Sequence, residues 1–394
     1  MLSPHAEFSF EEVTIEGKLV VVMRVAKAVS RPVDFRKSAY IRVGSYTKKL
    51  QDHPQMQSQL WDKLRSVNFE TQAAEMDLHA EQALQILRYT AYFELTGNPM
   101  PKDLQGILHF LLEDEVLSWQ DNGLFTITNM GALLFAKNLR DFPRLSRKAV
   151  RVIQYSGNNR LQMAKEEIGQ KGYAVGLEGL HTYIEGMLPS QEIISGALRT
   201  KISAFPAIAI REAVANALIH QDFSLSGTGP MVEVFDERIE ITNPGTPLVD
   251  IMRIVDNPPR SRNERLAALM RRMRVCEEAG TEWDKITIAC EMDQLPAPKI
   301  SVYENNTRVI LYSHVPFSNL SMEERRWACY LHTCVKFVQN ETATNETLRI
   351  RFGLPASSAA SISRLIKSAT EEGFIKAVDP ATSPRYMRYV PFWG

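Results

Sequence analysis

Apolar and polar residues alternate with a period of two near the start of the chain, which is the pattern of half-buried strands. Lys18-Leu19-Val20-Val21-Val22-Met23-Arg24-Val25 and Ala39-Tyr40-Ile41-Arg42-Val43-Gly44 are two such runs. They predict a sheet over residues 1–65 that ends in a basic turn at Lys48 and Lys49. No early helix is expected there, so this sheet reads as half of a domain, truncated relative to a complete one. From 66 to 145 the period changes to that of helices. Leu84, Leu87 and Ala91 form one stripe, and Leu104, Ile107, Leu108 and Leu111 another, with Asn98-Pro99 breaking the chain between them. Trp119-Gln120-Asp121-Asn122-Gly123-Leu124 then predicts a hairpin on an Asn-Gly turn. Helix, helix and hairpin suggest a small winged-helix-like connector, acidic at 113–115.

Residues 146–318 alternate strands and helices. Strands are expected at 149–155, 300–303 and 308–312, a hairpin at 231–241 over Asp236-Glu237-Arg238, and helices at 176–188 and from Pro206 onward. This is an α/β sandwich. Residues 319–394 predict three helices and a wing. Trp327, Tyr330, Leu331, Cys334, Phe337 and Val338 stripe the first helix. The second covers 346–352 and ends at Gly353. The third is capped by Ser357 or Ser358 and turns Ile362, Leu365 and Ile366 inward. Strands from Gly373 and over 386–390 close the segment. The chain is thus an α+β multidomain protein: a partial sheet domain (1–65), a helical, winged connector (66–145), an α/β sandwich (146–318) and a winged helix (319–394).

Composition narrows the class. A length of 394 residues favours two to four domains, and 44% hydrophobic with 23% charged residues is a globular balance. No apolar run reaches the roughly 20 residues of a membrane span, and residues 1–10 have no secretory pattern, so a cytoplasmic protein without membrane partners is expected. The 46 basic and 46 acidic residues cancel, so any contact with nucleic acid must come from a local patch. Cys276, Cys290, Cys329 and Cys334 form no CxxC pair and read as buried thiols. G-x-x-x-x-G-K-[S/T] is absent, which excludes a helicase motor built on a phosphate loop.

The most informative stretch is Arg211-Glu212-Ala213-Val214-Ala215-Asn216-Ala217-Leu218-Ile219-His220. Glu212, Asn216 and His220 lie four apart on one helical stripe, with Ile210, Val214, Ala217 and Leu218 on another. An amide oxygen one turn from a carboxylate suits a metal–nucleotide site, where the amide holds Mg²⁺ and the carboxylate orients water. Spacing alone favours an amphipathic helix with a solvated polar face.

Glu212-x-x-x-Asn216-Ala217-x-x-His220 resembles the N-box of GHKL ATPases. The stretch Ile241-Thr242-Asn243-Pro244-Gly245 resembles the first glycine box of one GHKL branch, and Ser261-Arg262-Asn263, Leu266-Ala267 and Glu277-Glu278-Ala279-Gly280-Thr281 resemble its later motifs. That branch is the Schlafen/AlbA-domain transcriptional regulator family, often labelled a RecG-related helicase. The similarity runs from Tyr40-Ile41-Arg42-Val43-Gly44-Ser45 to the C-terminal winged helix. The resemblance implies ATP and Mg²⁺ as cofactors. Glu212 would be the base or water-orienting residue, and Asn216 the metal ligand, with His220 beside it. Asn243 and Gly245 would lie at the adenine, and Gly280 and Thr281 at the phosphates.

Two departures stand out. Asn243 replaces the usual adenine-binding Asp, and Glu282 replaces the second glycine of a Gly-Thr-Gly box. A carboxylate 4 Å from a phosphate charge opposes it by roughly 4 kcal/mol at an effective dielectric near 20. In Schlafen-like proteins the AlbA domain is linked to nucleic-acid binding and sometimes cleavage. Here Glu7, Glu11, Glu12 and Glu16 form no catalytic pattern, while Arg42, Lys48 and Lys49 are candidate phosphate contacts.

From Asn345 onward seven basic residues face four acidic ones. Arg349, Arg351, Ser361, Arg364, Lys367 and Arg385 are the candidate contacts to double-stranded DNA, with Arg364 and Lys367 three apart on the third helix. A nucleotide-responsive DNA-binding regulator is the leading expectation. A slow Mg²⁺-dependent ATPase or a Schlafen-like nucleic-acid-processing effector is the alternative. A homodimer is expected at family level.

Overall fold

A computed structural model of the 394-residue chain describes residues 2–3, 8–15, 18–25, 32–44, 46–65, 69–195, 198–258, 260–276 and 282–394. Two compact units emerge, Met1–Gln72 and Ala73–Gly394. The first unit holds strands β1 (Leu2–Ser3), β2 (Phe8–Ile15), β3 (Lys18–Val25), β4 (Asp34–Phe35), β5 (Ser38–Val43) and β6 (Tyr46–Lys49), then helix α1 (Pro54–Arg65). β2 and β3 pair antiparallel, and β1-β4-β5-β6 form a second sheet. Lys48 and Lys49, expected in a turn, lie in β6 opposite Ile41 and Tyr40. α1 was not expected. Its signal is the four-residue spacing of Met56, Leu60 and Leu64 after Pro54, a residue suited to a first turn.

The second unit begins with β7 (Ala73–Leu78), α2 (Ala80–Ile86), α3 (Tyr89–Thr96), α4 (Leu104–Glu113), β8 (Leu117–Trp119), β9 (Phe125–Thr128) and α5 (Asn129–Phe135). Gly123 takes the positive φ that the β8–β9 turn requires. The stripe Leu84, Leu87, Ala91 is buried, but Leu84 and Ala91 belong to two helices and Leu87 to the link between them. The chain breaks at Leu87, which bridges Ala136, while the Arg88 N–H bonds the Phe135 carbonyl. Pairing with a neighbouring segment outcompetes helix continuation there.

Next come β10 (Arg151–Tyr155), β11 (Met163–Ile168), α6 (Tyr173–Glu185), β12 (Ser190–Ser195), β13 (Leu198–Ser203), α7 (Ala207–Ile219), β14 (Met231–Val234) and β15 (Arg238–Pro244). They are followed by α8 (Glu264–Arg272), α9 (Glu282–Met292), β16 (Lys299–Tyr303) and β17 (Asn306–Tyr312). A six-stranded sheet runs β11-β10-β14-β15-β17-β16, with only β10 and β14 parallel. α7 packs on β15 and β17 between α6 and α9. It is sunk in the core: Ala209, Ile210, Ala213, Val214 and Leu218 are almost inaccessible. Pro206 caps it from the extended region rather than entering its first turn.

The chain ends with α10 (Met322–Val338), α11 (Asn345–Arg351), α12 (Ala359–Glu371), β18 (Ile375–Ala377) and β19 (Tyr389–Pro391). Ser321 and Glu324 form a reciprocal cap that starts α10. Gly353 turns the chain after α11 with φ +62°. Ile362, Leu365 and Ile366 of α12 point inward. Ser358 precedes α12 without capping it through its side chain, because a 3₁₀ turn over Ala356–Ser358 already leads into the helix. The protein is a mixed α+β molecule of several structural segments. Among the described residues no helix is long and apolar enough to cross a membrane.

Candidate functional site

A cavity of about 660 Å³ opens between α7, the β15–β17 face, the segment 246–262, α8 and the start of α9. Asn216 and His220 of α7 and Asn243 of β15 line it together. Glu212, one turn before Asn216, is buried beside it rather than lining it, with 4% of its surface exposed. That excludes a solvated polar face for α7. The Glu212 Oε2 has no hydrogen-bond partner. Burial raises its pKa above the ordinary carboxylate value; Lys285 opposes this shift and Glu282 reinforces it. A buried carboxylate oxygen without a hydrogen bond is expensive to maintain unless a ligand or water completes it.

Asn243 is held by its own surroundings. Its Nδ2 donates to the Pro244 carbonyl at 3.2 Å and to the His220 carbonyl at 3.5 Å. Two carbonyls on one side oblige the NH₂ group to face them, which leaves Oδ1 as the acceptor for the cavity. The amide therefore offers what an aspartate would offer an exocyclic amine, without the charge. Gly245 follows with φ +108°, its N–H bonded to the Asn305 carbonyl at 2.6 Å. An added Cβ would meet Asp222 at 3.0 Å, so the tight exit from β15 needs glycine. Thr307, opposite Asn243 in register, donates to the Gly245 carbonyl at 2.6 Å.

Burial, then the nearby Arg262 cation, push His220 down to about 4, so its imidazole is neutral at neutral pH. Arg262 itself reaches the Thr246 carbonyl at 2.7 Å. Asn263 Nδ2 bonds the carbonyls of Ile219 (2.7 Å) and Gln221 (2.8 Å), tying the start of α8 to the end of α7.

Arg260, Arg262 and Arg271 line the cavity with Glu264 and Glu282. Three guanidinium groups thus outnumber two carboxylates on the wall, a balance that the repulsion assigned to Glu282 leaves out. Gly280 and Thr281 lie outside the described residues, as do Glu277, Glu278, Ala279 and Ser45. Among the described residues no cluster of three His, Cys, Asp or Glu side chains forms a metal site.

Of the expected DNA-contact residues, Arg364, Lys367 and Arg385 are exposed, and Arg349 and Ser361 are half-buried. Arg349 Nε donates to Asn345 Oδ1 at 3.1 Å, and Asn345 Nδ2 bonds the Ala359 carbonyl of α12 at 2.9 Å. Lys367 sits 3.8 Å from Glu371 on the same helix. Arg351 requires a correction. It is 4% exposed, donates to the Leu295 carbonyl at 2.8 Å and lies 3.4 Å from Glu291 of α9. Its guanidinium is buried against the half-buried Glu291 carboxylate, so DNA cannot reach it. Six basic side chains, not seven, then face the four acidic ones after Asn345.

Sequence reading missed Thr307 and the lining arginines Arg260 and Arg271, because strand register and the folding of 246–262 onto the sheet bring them in. It also missed Asp284 in α9, which is 9% exposed with Oδ1 unpartnered. Burial, then Glu282, raise its pKa from 3.8 to about 6. With a folded pKa above the unfolded one, the native state loses stability as pH climbs from 4 through 6. Asp284→Asn should therefore stabilise the protein by up to about 3 kcal/mol above pH 6 and by almost nothing near pH 4. Urea unfolding at pH 4 and pH 8 measures this, and an equal effect at both would remove the assignment.

Residues 227–311 match the family model described as "Putative ATP-dependent DNA helicase recG C-terminal". The match covers β14 to β17 with the lining of 246–262 and supports an ATPase-like domain there; α7 lies before it. Among solved structures, the DIP2311 protein from Corynebacterium diphtheriae is similar in fold, with a TM-score of 0.51 at 16% identity. That likeness covers 98% of this chain and 76% of the other. No curated protein matches.

Proposed function

We propose that the protein is a nucleotide-responsive DNA-binding regulator of the Schlafen/AlbA-associated kind, with ATP and Mg²⁺ in the cavity beside α7. The observation that carries this reading is the joint lining of that cavity by Asn216, His220 and an Asn243 whose amide oxygen is left to accept. The ATPase-like match over 227–311 supports it. Asn243 would receive the exocyclic amine of adenine, and the arginines of the wall would face the phosphates. Asn216 would hold Mg²⁺, which when bound neutralises phosphate charge. In the C-terminal segment, α12 with the β18–β19 hairpin would serve as a winged helix, Arg364 and Lys367 meeting DNA phosphates. A slow ATPase is the second reading, favoured by the buried Glu212 Oε2, which has no hydrogen-bond partner.

The test is titration of the full chain with an ATP analogue and Mg²⁺, with and without duplex DNA. Each ligand should alter affinity for the other by the same factor. DNA affinity should fall steeply with salt, and Arg364→Ala and Lys367→Ala should each reduce the slope of log K against log salt by about one. No nucleotide binding, or slopes unchanged in both variants, would remove the corresponding half of the reading.

A further inference from the structure

The segment that roofs the cavity is one short turn with two differently engaged sides. Asp250 Oδ1 caps it by accepting from the Met252 N–H at 2.9 Å, and a 3₁₀ turn follows over Ile251–Arg253. The N–H groups of Asp256 and Asn257 then bond back to the Arg253 carbonyl at 3.0 and 2.8 Å. These bonds tie residues 250–257 to one another. Ile254 and Asn257 on one side of it line the cavity.

The other side is gripped by the C-terminal helices and hairpin. The phenol of Tyr330, in α10, donates to the Met252 carbonyl. The same oxygen accepts from Trp393 Nε1 at 3.0 Å. Arg253 adds a second hold, its guanidinium 5.0 Å from the Trp393 ring centroid while it pairs with Asp256. Tyr330 is fully buried, its ring packed among Trp327, Phe374 and Phe392. It therefore cannot follow the turn unless α10 and the hairpin move with it.

We propose that Tyr330 is a positioning residue for the nucleotide cavity: it clasps the roof turn to the C-terminal helices, so that ligand occupancy and the placement of those helices change together. The proposal rests on the reading of the cavity as a nucleotide site and adds to it the contact through which the two ends communicate. A ligand that draws Ile254 and Asn257 inward must either carry α10 with it or break the Tyr330–Met252 bond. Either course makes the two ends energetically coupled.

Two measurements on the full chain separate this clasp from the nucleotide reading. In amide hydrogen exchange without ligand, Tyr330→Phe keeps the ring and removes the hydroxyl, so exchange at Asp256 and Asn257 should rise about five-fold, with α7 amides unchanged. Trp393→Phe should act in the same direction through loss of the indole N–H, which guards against a Tyr330 variant that simply packs badly. In the second measurement, a fluorescent non-hydrolysable ATP analogue with Mg²⁺ is titrated with and without a mixed-sequence duplex. The wild-type coupling factor, expected at about five-fold or more, should shrink toward one in Tyr330→Phe. Unchanged exchange in both variants overturns the clasp whatever the nucleotide does. Faster exchange with undiminished coupling shows Tyr330 to be merely structural and overturns the proposal too. A wild-type chain that binds no analogue brings down the nucleotide reading instead, and the exchange result alone then decides whether Tyr330 holds the turn.

Discussion

Arg351→Met should destabilise the protein by about 3–5 kcal/mol, because it takes the buried cation away from the Glu291 carboxylate, whose side chain is only 14% exposed, and the donor away from the Leu295 carbonyl. Glu291 lies 3.4 Å from Arg351 Nε and 3.0 Å from His332 Nδ1, between α9, α10 and α11. The second ring nitrogen of His332 is engaged by Thr347 Oγ1 at 3.0 Å, which fixes the imidazole in this junction. Desolvation lowers the Arg351 pKa, with Glu291 opposing it, as expected of a cation kept charged by its partner. The Arg–Glu contact is at ion-pair distance without an aligned hydrogen bond, so the lower end of the range is expected. Urea denaturation of the single variant measures the loss. The double variant Arg351→Met, Glu291→Leu should recover most of it, since the uncompensated charge is then gone. A loss below about 1 kcal/mol in the single variant would mean that the pair carries little. DNA affinity per folded molecule should not depend on Arg351, in contrast to Arg364 and Lys367.

Glu212→Gln should leave ATP binding intact or slightly tighter and reduce any Mg²⁺-dependent turnover by about 10²–10⁴-fold, the span of a lost general base. The substitution keeps the shape of a side chain that is only 4% exposed. It removes one negative charge from the neighbourhood of Glu282, which acts on Glu212 electrostatically. Since burial raises the pKa of Glu212, the acid limb of a turnover profile should lie above the ordinary carboxylate range. The group must be ionised to take a proton, so activity rises with pH through that limb. Turnover that survives in the variant with an unchanged pH profile would take Glu212 out of the chemistry and leave binding as the cavity's role.

Much of the fold was readable because local patterns and final structure agree. The β14–β15 hairpin forms over Asp236-Glu237-Arg238, and the apolar spacing of 322–338 marks α10. In both, the residues that set local geometry also face the core, so periodicity and tertiary packing give the same answer. The readings diverge where packing overrules local propensity. The stripe through Leu84 and Ala91 is cut in two because Leu87 pairs with Ala136.

For the candidate site, the sequence by itself determined the spacing of Glu212, Asn216 and His220, since a helix turns through about 100° per residue whatever surrounds it. Tertiary structure alone decided that Glu212 is buried beside the cavity rather than lining it, and that Asn243 turns its amide nitrogen toward two carbonyls. It decided that Arg351 faces Glu291 and not solvent. It also brought Tyr330 to Met252, 78 residues away along the chain. Periodicity reports which side of an element is apolar, but the charge, partner and exposure of each polar group depend on what the rest of the chain places against it.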